Sequence, residues 1–338
     1  MDILVTGGLG FIGSHTVVSL IEAGYRPVII DNLSNSDLSI LQGIEAITGS
    51  SPVFFKGDVN DQALLSSIFE QFKISAVIHF AAFKAVGESV QKPLDYYQNN
   101  VGGLVSLLKS MKRYNVQNLV FSSSCTVYGE PEHIPVSEHE SIKPASSPYG
   151  ATKQMCETIL QDVNWCHSQC LRYFNPVGAH SSAHIGELPL GVPNNLVPFI
   201  TQTAAGIRKE LVIFGSDYPT PDGTNIRDYI HVMDLASAHV ASLNRLLKGE
   251  NKHYFEVFNI GTGKGNSVLE VIHAFENATG VKVPYKIGDR RIGDVVQVWA
   301  DTAKVTETLG WKPSRGIEEM MADAWRWQQQ IQRNQELN

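Results

Sequence analysis

Short apolar runs alternate with longer segments of helical period through the first half of the chain. The runs are Ile3-Leu4-Val5, Pro27-Val28-Ile29-Ile30, Val53-Phe54-Phe55, Ala76-Val77-Ile78-His79-Phe80, Asn118-Leu119-Val120-Phe121 and Cys170-Leu171-Arg172-Tyr173-Phe174. Helical patterns follow Gly13 and Asp31, and occupy 62–71, 93–114 and a stretch beginning at Pro148. Six strands separated by helices predict an α/β fold with a parallel, doubly wound sheet. Such sheets bind ligands beyond the carboxyl ends of their strands. Gly7, Asp31, Asp58, Ala81, Ser122, Ser123, Ser124 and Asn175 fall at those ends. The rhythm changes after Phe174. Residues 175–193 are rich in Gly, Pro, Ser and His, a loop signature. A helix near 196–208 and strands near 211–214 and 255–260 predict a smaller mixed α/β unit. The expected division is 1–176 and 177–338, discontinuous if a strand such as Tyr229-Ile230-His231-Val232 returns to the first unit. The tail carries Ile317, Met320, Met321, Ala324, Trp325 and Trp327 at helical spacing and reads as a packing helix.

The first strand runs into Gly7-Gly8-Leu9-Gly10-Phe11-Ile12-Gly13. Glycines three apart between a strand and a helix allow a tight turn and a close approach to a pyrophosphate. The helix start then presents free N–H groups to that anion. A plain strand–helix turn accounts for the glycines equally well until Asp31 is added. Asp31 ends the second strand about 20 residues on, where a ribose-binding acid belongs. A carboxylate accepts hydrogen bonds from a ribose diol and repels a 2′-phosphate. The following Asn32-Leu33-Ser34-Asn35-Ser36 has no cation to hold such a phosphate. The first unit therefore reads as a Rossmann domain for NAD, not NADP.

Composition narrows the partners. The 338 residues carry a net charge of −7, which argues against nucleic acid. An anionic nucleotide would need local cations. Cys125, Cys156, Cys166 and Cys170 form neither a zinc pattern nor a disulfide framework, so no metal is expected and a cytoplasmic location fits. The apolar N-terminal run has Asp2 and early glycines, so it reads as a strand and not a signal peptide. No 18-residue apolar stretch predicts a membrane span.

Ser146-Ser147-Pro148-Tyr149-Gly150-Ala151-Thr152-Lys153 is the second informative stretch. Ser147 suits an N-cap and Pro148 the first helical position. Tyr149 and Lys153 then share one helix face. A neighbouring cation lowers a phenol pKa by about 1–3 units. Lys153, a nicotinium ring and the helix N-terminus predict a tyrosine usable as a base near neutrality. The alternative is a surface pair that only stabilises the helix. Ser122, Ser123 and Ser124 offer a hydroxyl to a substrate oxygen, or else satisfy a turn.

These segments resemble the extended short-chain dehydrogenase/reductases and, among them, the UDP-glucose 4-epimerase family. The resemblance spans essentially the whole chain. It includes Lys84-Ala85-Val86-Gly87-Glu88-Ser89, Arg172-Tyr173-Phe174-Asn175-Pro176-Val177-Gly178-Ala179 and Arg227-Asp228-Tyr229-Ile230-His231-Val232. It implies that Tyr149 is the base, that Lys153 tunes it, and that Ser124 bonds the sugar hydroxyl being oxidised. It implies NAD contacts from Gly7, Gly10, Phe11, Ile12, Gly13, Asp31, Asn32, Asp58, Val59, Phe80, Ala81, Ala82, Lys84, Asn99, Ser122, Tyr149, Lys153 and Tyr173. The UDP-sugar site would draw on Lys84, Ser124, Tyr149, Asn175, Asn195, Leu196, Val212, Phe214, Arg227, Tyr229, Arg291, Asp294 and Val298. Arg227 and Arg291 suit a diphosphate clamp; each also suits an ordinary salt bridge.

Related dehydratases carry an Asp-Glu pair after the strand-end hydroxyl, where this chain has Cys125-Thr126. That favours hydride transfer without loss of water. Two departures bear on the sugar. Ile292 stands where the family often has Glu, and Val298 where members restricted to unsubstituted sugars tend to carry Tyr. Val298 predicts room for an N-acetyl group, unless it merely fills core volume. The resemblance also implies a homodimer through helices near 102–111 and 149–163, whose apolar residues equally suit packing within one subunit. Rival readings are another UDP-sugar epimerase, a reductase that releases NADH, and a non-catalytic dinucleotide sensor.

Overall fold

A computed structural model describes residues 1–336 other than 190, 194, 292 and 293. Its main sheet contains β1 (Asp2–Thr6), β2 (Arg26–Asp31), β3 (Val53–Lys56), β4 (Ile74–His79), β5 (Asn118–Ser124), β6 (His167–Tyr173) and β7 (Phe255–Ile260). All pairs are parallel, in the order β7-β6-β5-β4-β1-β2-β3. The six expected strands are present. β7 is a correction: this segment was expected in the smaller unit, but it pairs with β6. The strand suggested as the return, Tyr229–His231, pairs instead with Asn175–Val177 in a separate two-stranded sheet.

Alternation along each strand divides the core. Ile3, Val5, Ile29, Ile78 and Val120 join one apolar cluster, while Leu4, Val28, Ile30, Val77 and Leu119 join the other. Side chains of a strand point alternately to its two faces, so a sheet covered on both sides needs continuous apolar runs. The helices Phe11–Glu22 and Val232–Leu247 contribute to the first cluster. Gly103–Arg113 and Pro148–Asp162 contribute Leu104, Leu107, Met111, Cys156 and Leu160 to the second. Strand order reverses between β1 and β4, which opens a crevice at their carboxyl ends.

The helix expected over 93–114 is interrupted. Pro93–Tyr96 and Gly103–Arg113 flank a π-helical turn, Tyr97–Gly102. Asn100 explains the placement. Its Oδ1 accepts from the Phe83 N–H at 2.8 Å, and its Nδ2 donates to the Phe83 carbonyl and to Thr152 Oγ1, both at 3.0 Å. The turn thus fixes the loop after β4 and sets Asn99 in the cleft wall.

A third cluster forms the core of the smaller unit. It joins Val177, Val197, Ile200, Leu211 and Ile213 to Val271, Phe275, Met320 and Met321. The tail helix Ile317–Glu336 therefore packs as expected, and also does more. Trp327 Nε1 donates to the Glu187 carbonyl at 2.8 Å. A Cβ at Gly186 would meet the Trp327 ring at 2.4 Å, so this position needs glycine.

Four histidines are buried in the neutral form. Burial pushes His15 and His79 down to about 3, and His231 and His239 down to about 4. In the unfolded chain each titrates near 6.5. Below that pH the unfolded state binds more protons, so stability falls as pH drops. Together the four contribute a slope of roughly 5 kcal/mol per pH unit at its steepest. The melting temperature is expected to drop steadily from pH 6.5 toward pH 4. A melting temperature flat from pH 7 to pH 4.5 in calorimetry would contradict this.

Candidate active site

The strand ends and the smaller unit enclose a cleft of about 560 Å³. Gly7 sits at φ +68°, and a Cβ there would meet the Ala81 nitrogen at 2.7 Å. At Gly13 a Cβ would meet the Gly7 carbonyl oxygen at 2.2 Å. Both contacts are with backbone, which cannot swing aside. Among the described residues no side chain caps the following helix, whose N-cap is Gly10, so its first N–H groups suit a ligand. This cradle fits a dinucleotide diphosphate.

Asp31 is buried, and its carboxylate is already engaged. It accepts from the Leu9 N–H at 3.0 Å, the Leu33 N–H at 2.9 Å and Ser36 Oγ at 2.8 Å. It therefore shapes the glycine turn as well as offering a charge to a ribose. Asp58 accepts from Asn32 Nδ2 at 2.9 Å and from the Asn60 N–H at 2.8 Å. Burial pushes its pKa up, but hydrogen bonds from Asn60 and Asn32 outweigh this and hold it below the usual range. Phe11, Ile12, Val59, Phe80, Ala82, Lys84, Asn99, Ser122 and Tyr173 line the same wall. Lys84 Nζ donates to Glu187 Oε1 at 3.2 Å, and Asn195 Nδ2 donates to the same oxygen at 2.7 Å. Glu187 thereby ties the loop after β4 to the smaller unit; nothing in the sequence signals it.

The tyrosine helix begins as expected. Ser147 caps it by accepting from the Gly150 N–H at 3.2 Å, and Pro148 opens it. Tyr149, Lys153 and Ser124 all line the cleft. Burial dominates the electrostatics of the pair. Burial pushes the Tyr149 phenol up to about 12, against a smaller lowering by the Ser124 hydroxyl. Lys153 Nζ donates to the Ser122 carbonyl at 2.5 Å and lies 5.9 Å from the Tyr149 ring centroid. Burial pushes Lys153 down to about 8. Desolvation is thus the largest influence on both groups. A cationic ring brought beside the phenol acts in the lowering direction. Ser124 serves the turn too: its Oγ accepts from the Thr126 N–H at 3.2 Å and Thr126 Oγ1 at 3.0 Å. Ser123 points away, donating to Glu157 at 2.5 Å.

Across the cleft stand Asn175, Asn195, Leu196, Val212, Phe214, Arg227, Tyr229, Arg291 and Asp294. Arg227 Nη1 donates to its neighbour's carbonyl, Ile226, at 2.9 Å. The Arg291 guanidinium lies 4.4 Å from the Phe214 ring centroid. Neither occupies a carboxylate in these contacts. Val298 is absent from the wall. It packs in an apolar cluster with Val127, Tyr128, Val136, Ala300 and Phe174, of which Phe174 does line the cleft. Ile292 lies outside the described residues. Ser36, Phe174, Phe199 and Asn225 line the cleft without having been singled out.

A family model described as GDP-mannose 4,6 dehydratase matches residues 4–324. The UDP-glucose 4-epimerase of Yersinia pestis is 54% identical over 332 residues, 97% of each chain. The chain belongs to the UDP-glucose 4-epimerase family. The structure of the epimerase from Stenotrophomonas maltophila, with bound NAD and formylated UDP-arabinopyranose, superposes at a TM-score of 0.96. It is 48% identical, and 99% of each chain is covered. The Bifidobacterium longum epimerase with NAD+ and UDP gives 0.93 at 46% identity over 98% of each chain. The epimerase relatives also suit the missing acid pair. Cys125 and Thr126 follow Ser124 where a dehydratase needs carboxylates, and burial pushes the Cys125 thiol up to about 12.

Proposed function

We propose that this epimerase-family chain interconverts UDP-glucose and UDP-galactose by inverting C4 of the sugar. One observation carries the reading: Tyr149, Lys153 and Ser124 share a single cleft with the glycine turn and with Arg227 and Arg291. NAD, when bound, accepts a hydride from C4 and returns it. The glycine turn, Asp31 and Asp58 hold that cofactor. Tyr149 takes the proton of the 4-hydroxyl and later gives it back, with Ser124 bonded to the same oxygen. Arg227 and Arg291 anchor the diphosphate, so that the keto sugar can turn over while the nucleotide stays fixed. The test is incubation of the purified protein with UDP-galactose and no added cofactor. UDP-glucose should accumulate with no net change in absorbance of reduced nicotinamide. No conversion, or a need for stoichiometric NAD, would overturn the reading.

We further propose that UDP-N-acetylglucosamine and UDP-N-acetylgalactosamine are substrates. Val298 supports this: it pairs in register with Arg227 on a neighbouring strand and shares a cluster with Phe174. A short side chain there leaves the cleft wall free to move back. Val298→Tyr is expected to remove N-acetyl sugar conversion by at least tenfold while UDP-galactose turnover stays within about threefold. Equal losses on both sugars would refute this.

The third proposal is a homodimer. Val86, Val90, Leu94 and Met155 are exposed apolar residues on or beside the helices expected to pair, and Leu94 is 79% exposed. Replacing both Val90 and Leu94 with Glu is expected to shift sedimentation from dimer to monomer. A monomeric native protein would dismiss the assignment. Four free cysteines favour a cytoplasmic location. Among the described residues, no helix is long and apolar enough to cross a membrane.

A further inference from the structure

We propose that His239 sets the hydrogen-bond polarity of Tyr173, so that the tyrosine oxygen meets the bound dinucleotide as an acceptor. The inference rests on the NAD reading above. His239 lies on Val232–Leu247, is fully buried, and does not line the cleft. Tyr173 ends β6 and does line it. His239 Nδ1 is 2.8 Å from the Leu235 carbonyl oxygen, one helical turn earlier. A carbonyl has no proton to give, so Nδ1 carries the hydrogen. Burial holds the ring neutral, with its pKa pushed down to about 4. Nε2 is therefore a bare acceptor, and it lies 2.8 Å from the Tyr173 hydroxyl.

The phenol has one O–H to donate, and it donates it to His239 Nε2. What remains on the Tyr173 oxygen is lone-pair density, available to the Ser122 hydroxyl and to a donor in the cleft that both residues line. A donor on the cofactor gains from that oxygen, whereas a carbonyl in its place would face lone pairs. The imidazole cannot easily rotate out of this role. Its ring packs against Phe80 at 4.8 Å and Tyr173 at 5.3 Å between centroids. Phe80 is itself a cleft residue, so the histidine also supports the wall from behind. His239 thus acts as a positioning residue, through Tyr173.

Two measurements test this. In the unaltered holoenzyme, ¹⁵N–¹H correlation spectra should show the Nδ1–H tautomer of His239. Exchange of bound NAD for radiolabelled NAD should be about fivefold faster in His239→Leu, the scale of one lost hydrogen bond. His239→Gln keeps an acceptor and should stay within about twofold of native. In a Tyr173→Phe background the His239→Leu effect should vanish, because the partner is already gone. An Nε2–H tautomer would overturn the proposal. So would an unchanged exchange rate in His239→Leu, or the same acceleration with Tyr173→Phe present. If His239→Leu does not fold, the tautomer decides alone. Purified protein that neither holds nor takes up NAD would defeat the functional reading, and the tautomer would still test the polarity of the pair.

Discussion

Tyr149→Phe is expected to lower turnover about a thousandfold, the usual scale for loss of a positioned acid–base group. Binding of NAD and of UDP should remain within about threefold of native, because the ring still fills its place in the cleft wall. The phenol is half-buried in the cleft wall and its proton is held tightly, with a pKa pushed up to about 12 by desolvation. At neutral pH the unliganded protein therefore presents a protonated hydroxyl. That form is suited to returning a proton to a sugar oxygen. To take one, the phenol must be made more acidic by positive charge arriving with the ligands. Turnover should accordingly titrate at a lower pH in the loaded enzyme than the free phenol would suggest. The deciding measurement is kcat with UDP-galactose for both proteins, together with UDP affinity by calorimetry. Turnover in Tyr149→Phe above about a tenth of native would remove Tyr149 from the chemistry.

What the sequence made legible follows from how local each signal is. The glycine turn and the Tyr149–Lys153 pair are set by spacing within one turn or one helix, so residue order alone places them. Asp31 joined them because strand length fixes how far the chain travels before the next strand end. The residues missed act across large separations. Glu187 meets Lys84 from 103 positions away, and His239 meets Tyr173 from 66. No periodicity reports such contacts. β7 was misplaced for a related reason. Phe255–Ile260 follows Val232–Leu247, which packs in one cluster with the first helix, and the strand pairs with β6. Spacing reveals a cation one turn from Tyr149 and says nothing of burial, which pushes the phenol upward. Lys153 spends its charge on the Ser122 carbonyl, and desolvation dominates both groups.

Glu157→Gln is expected to destabilise the fold by about 3–5 kcal/mol, the cost of breaking a buried ion pair by removing one partner. Glu157 and Arg172 form a bidentate pair between the tyrosine helix and β6. Arg172 Nε donates at 3.0 Å and Nη2 at 2.6 Å, and both side chains are 5% exposed. The Arg172 guanidinium also lies 4.7 Å from the Tyr128 ring centroid, and its Nη1 is buried without a hydrogen-bond partner among the described residues. An amide would leave that cation buried and uncompensated. Ser123 would lose its charged acceptor as well. The pair has a functional reach because consecutive residues of β5 serve different ends. The Ser122 carbonyl holds Lys153, the Ser123 hydroxyl holds Glu157, and the Ser124 hydroxyl faces the cleft. Glu157 and Lys153 are one turn apart on the same helix, so loosening one anchor frees the other. Urea unfolding should show the full loss in Glu157→Gln. The double variant Glu157→Gln, Arg172→Met should recover part of it, since the stranded cation is gone. A single variant as stable as native would show that the pair does not hold the helix to the sheet. A double variant no better than the single would locate the loss in Ser123 and not in the uncompensated arginine.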